Sequence, residues 1–560
     1  MIIGLDVGGT HTDVVLLSNQ GVVNAIKAPT DPKNLFQTIL DGIESVISTT
    51  DPRHIQRLVL STTLTTNAIV QQQYAPVGMI VMGGPGIDPE HFRTHEDYCI
   101  VSGAMDHRGR EVEPVQDRQI KAILKEFKSK GIGQIGVVGK FSVRNPEHEM
   151  AVFKHAKNQF EKIFLGHQIS GNLNFPRRIA TTFLNALVYP IHKNFFQAVR
   201  DGLSRIGLNV PIYIMKADGG TMNFESSIDF PGQSILSGPA ASVMGCVAFC
   251  PPHAEALAFD IGGTTTDMAV LIDQAPLLDP LGIRVGAYKT LIRSLKTHSI
   301  GIGGDSWVRL QDRHILIGPE RKGPAMAHGG AHPTPTDALA VLNQLKSGDR
   351  SRARQGMAPM AEALGKTVEE TAAAIFDQTC QTMLQEAHHF IQRINRKPVY
   401  TVHELKEGYQ VDPQTILIIG GPAPHFARRI EALSRFQVGV APHWKVANAI
   451  GAALARTTTE ISIFADTEQG MLTAPEERVT RKIDKNFTSD DAVAMAFDLL
   501  KQKARQAGAT DPDLVMEIVE KQQFNMVRGF YTTGKNIRVK AQIKPGLIHG
   551  YDDIADQLSG

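Results

Sequence analysis

Two short segments, far apart in the chain, carry the same chemically useful groups at the same spacing. The first is Asp6-Val7-Gly8-Gly9-Thr10-His11-Thr12-Asp13, and the second is Asp260-Ile261-Gly262-Gly263-Thr264-Thr265-Thr266-Asp267. Apolar runs flank both, at 2–5 and 14–17 around the first and at 256–259 and 268–272 around the second. That pattern predicts strand, tight Gly-Gly turn, strand, which is a β-hairpin with polar residues at its tip. A phosphate chain needs backbone N–H donors at close range and a cation to balance its charge. Glycines let the backbone approach, hairpin turns can form anion-binding nests, and threonine hydroxyls add neutral donors. A carboxylate ending the entering strand can hold Mg²⁺ through the ion's own waters. Gly8, Gly9, Thr10, Thr12, Gly262, Gly263, Thr264 and Thr265 are therefore candidate phosphate-binding residues for ATP, and Asp6 and Asp260 candidate metal-side and catalytic carboxylates. Asp13 and Asp267, beyond each turn, read as turn-stabilising groups. One Gly-Gly-Thr alone would be only a turn; two copies with matched aspartates carry the argument. Neither copy is a Walker A loop, since the Gly-Lys-Ser/Thr ending is absent, and neither has the third glycine of a dinucleotide fingerprint.

Such turns work only if something aims them at each other, and the sequence between them predicts an α/β scaffold. Residues 135–139, 212–215 and 415–419 read as buried strands. Asn145-Pro146-Glu147-His148-Glu149 reads as a helix start, with Asn145 as cap and Pro146 in the first turn. Ser237-Gly238-Pro239-Ala240-Ala241-Ser242 opens a helix of small residues, and Gly420-Gly421 forms a strand-to-helix turn. Alternation of this kind means α/β architecture. Helices over 182–196 and 444–455 are expected to cross closely, because Ala447, Ala449, Gly451, Ala452 and Ala453 are small. Residues 318–336 and 346–358 read as loops, 457–490 give little signal, and 523–544 alternate weakly as β-structure.

The composition narrows the class. With 560 residues, 42% hydrophobic and 21% charged, the chain has the mix of a globular protein of two or three domains. Its 58 basic and 57 acidic side chains give a net charge of +1, with no electrostatic footprint for nucleic acid or an anionic membrane. No apolar run approaches a membrane span and no leader pattern opens the chain, so a cytoplasmic location is expected. Cys99, Cys246, Cys250 and Cys380 lack metal or redox spacing and read as buried small hydrophobes. His91/His95 and His388/His389 lack a third ligand and read as packing or surface histidines.

The order of hairpin, α/β stretch, second hairpin and strand–Gly-Gly–helix resembles the actin, sugar-kinase and heat-shock-chaperone superfamily. The resemblance implies an actin-like (ribonuclease H-like) ATPase fold, α/β, with two pseudo-symmetric half-domains around a nucleotide cleft. It implies that Gly420 and Gly421 contact adenosine. The expected division is 1–180, 181–460 and a smaller C-terminal region at 461–560. Within that group the chain resembles the ATP-binding A-type subunit of the hydantoinase/oxoprolinase family. The segments that carry this are residues 4–13, Ser61-Thr62-Thr63-Leu64-Thr65-Thr66-Asn67-Ala68, 141–149, Ile235-Leu236-Ser237-Gly238-Pro239-Ala240, 259–267, Ile300-Gly301-Ile302-Gly303-Gly304-Asp305-Ser306 and Gly420-Gly421-Pro422-Ala423-Pro424-His425.

What this second resemblance implies is ATP- and Mg²⁺-dependent opening of a cyclic amide, such as a hydantoin or 5-oxoproline, by phosphorylation of its carbonyl oxygen. Gly238 joins the nucleotide-binding set, His148 and Glu149 become candidate catalytic groups, and His298, Gly304 and Asp305 candidate substrate groups. A B-type subunit and a homo-oligomer are the expected partners. A related branch activates carbonyl substrates for carboxylation, and other superfamily members are ATPases that remodel a partner protein. The chain departs from the family at Asp305, where glycine is usual, and at Arg321-Lys322, where small residues are usual.

Overall fold

The computed structural model describes residues 1–31, 34–72, 74–279, 281–396 and 410–551. Both repeats are hairpins in the same register. Ile2–Val7 pairs antiparallel with His11–Ser18, setting Asp6 opposite Asp13 and Val7 opposite Thr12. Glu255–Ile261 pairs with Thr266–Ile272, setting Asp260 opposite Asp267 and Ile261 opposite Thr266.

Each hairpin grows into a sheet by the same rule. Beside Ile2–Val7 lie the parallel strands Arg57–Thr62 and then Ile212–Met215. Beside Glu255–Ile261 lie the parallel strands Thr415–Ile419 and then Gln437–Val440. On the far side an antiparallel strand is added to each, Gly21–Pro29 in the first and Thr297–Ile300 in the second. This doubled order is the actin-like pair of half-domains. Helix Phe175–Arg205 runs through residue 180, and strands Ile212–Met215 and Thr221–Asn223 complete the sheet of the first half. A four-stranded parallel sheet, ordered Lys162–Leu165, Gln134–Gly139, Val77–Met82 and Tyr98–Ile100, is inserted within this half.

Two helices, Ser237–Val247 and Ala447–Leu454, share one core with both sheets: Ile2 and Val15 come from the first, Ala258 and Leu417 from the second. They touch backbone to backbone. A Cβ on Gly451 would lie 2.2 Å from the Gly245 nitrogen, and one on Gly4 would lie 2.2 Å from the Ala449 carbonyl oxygen. The close crossing expected of 444–455 is therefore present, but its partner is Ser237–Val247 and not 182–196. Small residues reveal that a helix is approached closely, not by what; Ala240, Ala241 and Gly245 are the complementary small face. The 182–196 stretch belongs instead to the long helix, where Phe183 and Leu184 pack under the inserted sheet and Phe196 against the first sheet.

Residues 346–358 are not all loop, because Arg350–Leu364 is a helix. Asp349 caps it by accepting from the Ser351 and Arg352 nitrogens, and Gly365 ends it at φ 68°. The C-terminal region has its own core around a five-stranded sheet that includes Glu460–Asp466, Met516–Arg528 and Tyr531–Ile543, covered by helix Ser489–Gln506. The weak alternation at 523–544 is the visible part of that sheet.

Candidate functional site

The strand ends put Asp6 and Asp260 on the floor between the half-domains. Asn448, on the central helix, donates to Asp6 Oδ2 at 3.2 Å and lies near enough to Asp260 to favour its charged form. Ser242, on the other central helix, donates to Asp260 Oδ2 at 2.6 Å. One asparagine thus stands between the aspartates of both halves. Burial pushes the Asp6 carboxyl above its ordinary range and the facing Asp260 adds to this, against the polar groups of Ser61 and Asn448 beside it. Burial raises Asp260 likewise. Two enclosed carboxylates that repel one another call for a cation, and Asp6 Oδ1 has no hydrogen-bond partner. No cluster of three or more His, Cys, Asp or Glu that could hold a metal occurs among the described residues. The donor set therefore fits an Mg²⁺ that keeps its waters and phosphate ligands rather than a protein cage.

The turns above this floor match in their bonding. Gly8 nitrogen donates to the His11 carbonyl at 3.0 Å, and Gly262 nitrogen to the Thr265 carbonyl at 2.9 Å. Gly9, Thr10 and His11 are exposed at the first tip, and Thr264 and Thr265 are half-buried at the second. Thr12 differs from expectation: it is fully buried, and its hydroxyl bonds that of Thr30 at 2.9 Å, so it braces the hairpin from below. Gly238, second residue of its helix, stands beside Asp6; a Cβ there would be 4.0 Å from Asp6 Oδ1. The N-terminal end of that helix therefore faces the cleft, where its dipole favours an anion. Gly420 lies against Asp260. It has φ +95°, and a Cβ would come 2.7 Å from Asp260 Oδ1 and 2.3 Å from the Ile261 carbonyl oxygen, so only glycine fits. Gly421 beside it is exposed.

Asp13 and Asp267 do more than shape turns. Lys27, from the third strand, grips both Asp13 oxygens at 2.7 and 2.8 Å and donates to the Lys445 carbonyl at 3.0 Å. Burial nevertheless raises Asp13 to about 6, against Lys27. Asp267 is also raised to about 6, by burial and then by the charge of Asp260, against a hydrogen bond from Ser299. Lys27, Asn448 and Ser242 carry no motif, and only the sheet order and the helix crossing bring them here.

The proposed substrate groups separate. Gly304 and Asp305 lie directly under the second turn, their nitrogens donating to the Gly262 and Gly263 carbonyls at 2.9 and 2.7 Å. Thr336 holds the loop through the Gly304 carbonyl at 2.7 Å. His298 is bound elsewhere: its Nε2 meets Glu386 at 2.9 Å and its ring stacks on Phe390. His148 and Glu149 sit in the inserted sheet's layer. His148 Nε2 bonds Glu111 at 2.8 Å, while Glu149 accepts from the Gly139 nitrogen at 2.8 Å and meets His167 Nδ1 at 2.6 Å. Burial disfavours the Glu149 charge, but His167 and Arg178 outweigh it and hold its carboxyl below the usual range. A carboxylate so fully engaged ties the strand Gln134–Gly139 to residues 166–169, and the geometry gives it no free oxygen for catalysis. His95, Nε2 on the Val77 carbonyl and ring on Phe183, is a packing residue.

A cavity of about 580 Å³ opens away from the hairpins, where the C-terminal region meets the main body; Lys216, Asp218, Arg293, Glu476 and Lys503 line it, and no hairpin residue does. Its charges are matched internally, with Lys216 and Arg293 both on Asp218, at 3.2 and 3.0 Å, and Lys503 on Glu477 at 2.7 Å. The chemistry converges on the hairpins, not there.

Residues 2–160 match the hydantoinase/oxoprolinase N-terminal region, and residues 178–461 match hydantoinase/oxoprolinase. The chain belongs to this family. Among curated relatives it is 24% identical to the caprolactamase subunit alpha of Pseudomonas jessenii, over 75% of this chain and 64% of that one. It is 25% identical to the 5-oxoprolinase of Saccharomyces cerevisiae, over 61% of this chain and 32% of that one. The chain thus spans about one to two thirds of the lengths of these relatives. The crystal structure of the ATP-dependent caprolactamase from Pseudomonas jessenii superimposes with a TM-score of 0.74 at 18% identity, covering 98% of this chain and 88% of that one. The fold is shared along nearly the whole chain, its C-terminal region included.

Proposed function

We propose that this chain binds Mg²⁺-ATP between the two hairpins and phosphorylates the carbonyl oxygen of a cyclic amide so that the ring can open. The observation that carries the reading is the pair of aspartates, buried Asp6 and half-buried Asp260, set on either side of Asn448 beneath two matched turns. Family membership supports the substrate class. An unstrained amide is a poor electrophile because resonance spreads its carbonyl over the C–N bond. Phosphorylating the oxygen removes that protection: water adds to the carbon, the ring C–N bond breaks as the amine takes a proton, and a second water releases phosphate from the acyl phosphate that remains. In sum, one lactam, one ATP and two waters give the amino acid, ADP and phosphate.

The bound Mg²⁺ would neutralise phosphate charge as it moves toward the leaving group. The chain's own part is positioning. Gly8, Gly9, Gly262 and Gly263 offer backbone N–H groups, the helix beginning at Ser237 turns its positive end to the phosphates, and Asp6 and Asp260 orient the ion's waters. Gly420 and Gly421 would border the adenosine. A B-type partner subunit is proposed as well, since a relative is named as subunit alpha. No helix among the described residues is long and apolar enough to cross a membrane, and a cytoplasmic location is proposed. The test is ATP turnover across hydantoin, 5-oxoproline, caprolactam and a no-substrate control, with and without a B-type subunit. Turnover that rises with none of the cyclic amides in either condition overturns the reading.

A further inference from the structure

The loop over 318–323 holds two cations, Arg321 and Lys322, that the mechanism above does not use. Strong contacts fix it. Trp307 nitrogen donates to the Glu320 carbonyl at 2.8 Å, and Gly318 nitrogen donates to the Trp307 carbonyl at 2.9 Å. Arg309 Nη1 donates to the Gly318 carbonyl at 3.0 Å. Lys322 Nζ sits 3.4 Å above the centre of the Trp307 ring, whose other contacts are Arg309 and His332. Lys322 is therefore spent on clamping the loop to Trp307. Arg321 is presented differently. Its Nη2 donates to Asp305 Oδ2 at 3.0 Å, and its Nε to the Gly323 carbonyl at a long 3.4 Å. Asp305 is itself pressed on the second phosphate turn: its nitrogen donates to the Gly263 carbonyl at 2.7 Å, and its Oδ2 lies 2.9 Å from where a Cβ on Gly263 would be.

The guanidinium thus stands a few ångströms from the Gly262-Gly263 turn, its Nη1 end making no hydrogen bond among the described residues. Its charge is felt across the cleft as well, since burial, Lys27 and then Arg321 depress the pKa of His11 on the opposite hairpin. A single-point contact with Asp305 aims a guanidinium without saturating it; five N–H groups in a planar fork leave a face for a second oxyanion.

We propose that Arg321 is an anion-binding residue of the cleft, its free guanidinium edge taking an anionic oxygen group at the second phosphate turn. The site extends the nucleotide cleft and so rests on the reading of that cleft as an ATP site. Two groups have the required chemistry: the terminal phosphate of ATP and a carboxylate carried by the cyclic amide. Asp305 serves as the positioning residue, and Trp307 with Lys322 keeps the loop from withdrawing.

The experiment uses the full chain with Mg²⁺. Calorimetric affinities for ADP and for a non-hydrolysable ATP analogue are measured in wild type, Arg321→Gln, Arg321→Lys and Lys322→Gln. Affinities for 5-oxoproline and for 2-pyrrolidinone, which lacks the carboxylate, are measured with ADP present. If the phosphate is the anion, Arg321→Gln weakens the ATP analogue at least tenfold and ADP less than twofold, and Arg321→Lys recovers part of the loss. If the carboxylate is the anion, Arg321→Gln weakens 5-oxoproline at least tenfold and 2-pyrrolidinone less than twofold. Arg321→Gln within twofold of wild type for the ATP analogue and both lactams, while melting like wild type, overturns the proposal. So does an equal loss in Lys322→Gln, which would make the effect one of general charge. Where neither lactam binds, the phosphate arm decides alone. A wild-type chain that binds no Mg²⁺-ADP refutes the nucleotide reading and this site with it.

Discussion

Asp267→Asn exchanges a half-buried carboxylate for a neutral group of nearly the same shape, and the consequence for stability can be worked from the site. Burial and the charge of Asp260 raise the Asp267 carboxyl from 3.8 to about 6. A raised acid favours the folded state only while protonated, so folding takes up a proton between the two values. Below pH 4 the group is neutral folded or unfolded and contributes nothing to the difference between wild type and variant. As pH rises through 6 the folded protein must keep a charge in a poorly solvated place. At about 1.4 kcal/mol per unit, a gap of roughly two units amounts to about 3 kcal/mol, reduced to about 2 kcal/mol because the side chain keeps some solvent contact. The amide of the variant carries no such penalty. The nucleotide-free variant should therefore melt several degrees above wild type at pH 8, with the gap shrinking through pH 6 and closing near pH 4. Mg²⁺-ADP should narrow the gap at pH 8, because the cation supplies what the carboxylate lacks. Melting curves at one scan rate from pH 4.5 to 8, with and without Mg²⁺-ADP, measure all of this. A variant no more stable than wild type at pH 8, or a gap of equal size at pH 5 and 8, refutes the account of this carboxylate as a charge kept waiting for a cation.

Asp6→Asn and Asp260→Asn should each lower ATP turnover at least a hundredfold while melting at or slightly above wild type, with nucleotide affinity less sensitive to Mg²⁺; turnover assays and a Mg²⁺ titration check this. Glu149→Gln should act on stability instead. Its amide has one acceptor oxygen where the carboxylate has two, so either the Gly139 or the His167 N–H loses its acceptor at a cost of about 1–3 kcal/mol, and the fraction still folded should keep wild-type KM for ATP. Gly451→Ala forces a methyl onto the Gly245 nitrogen and Ala241 carbonyl, so it should lower stability by about 1–3 kcal/mol and turnover with it, since the crossing holds both aspartates in place.

The sequence exposed those parts of the site whose physics is local. Strand, glycine turn and strand are specified by neighbouring residues, so the hairpins and the register of Asp6 and Asp260 were legible, as was the small-residue character of Ala447–Leu454. What the sequence does not show depends on partners distant in the chain. Thr12 looks like a phosphate donor until Thr30, eighteen residues on, takes its hydroxyl. His298 looks like a substrate group until Glu386 and Phe390 hold it. Glu149 sits in a family motif, yet its oxygens are occupied by Gly139 and His167. Lys27 and Asn448 stayed hidden for the opposite reason: one is a lysine in an ordinary alternating strand, the other a lone asparagine in an alanine helix. Only the sheet order and the Gly245–Gly451 contact give them their place.

That one asparagine also constrains how this molecule can move. Because Asn448 holds Asp6 of one half beside Asp260 of the other, and because the central helices touch backbone to backbone, the base of the cleft is a pivot rather than a gap. Opening and closing must then resemble a pair of tweezers: displacement is smallest at the aspartates and grows toward Thr10, Thr264 and Gly421 at the rim. Under the proposed function, the groups assigned to the metal would stay in register, and the groups assigned to the nucleotide would travel.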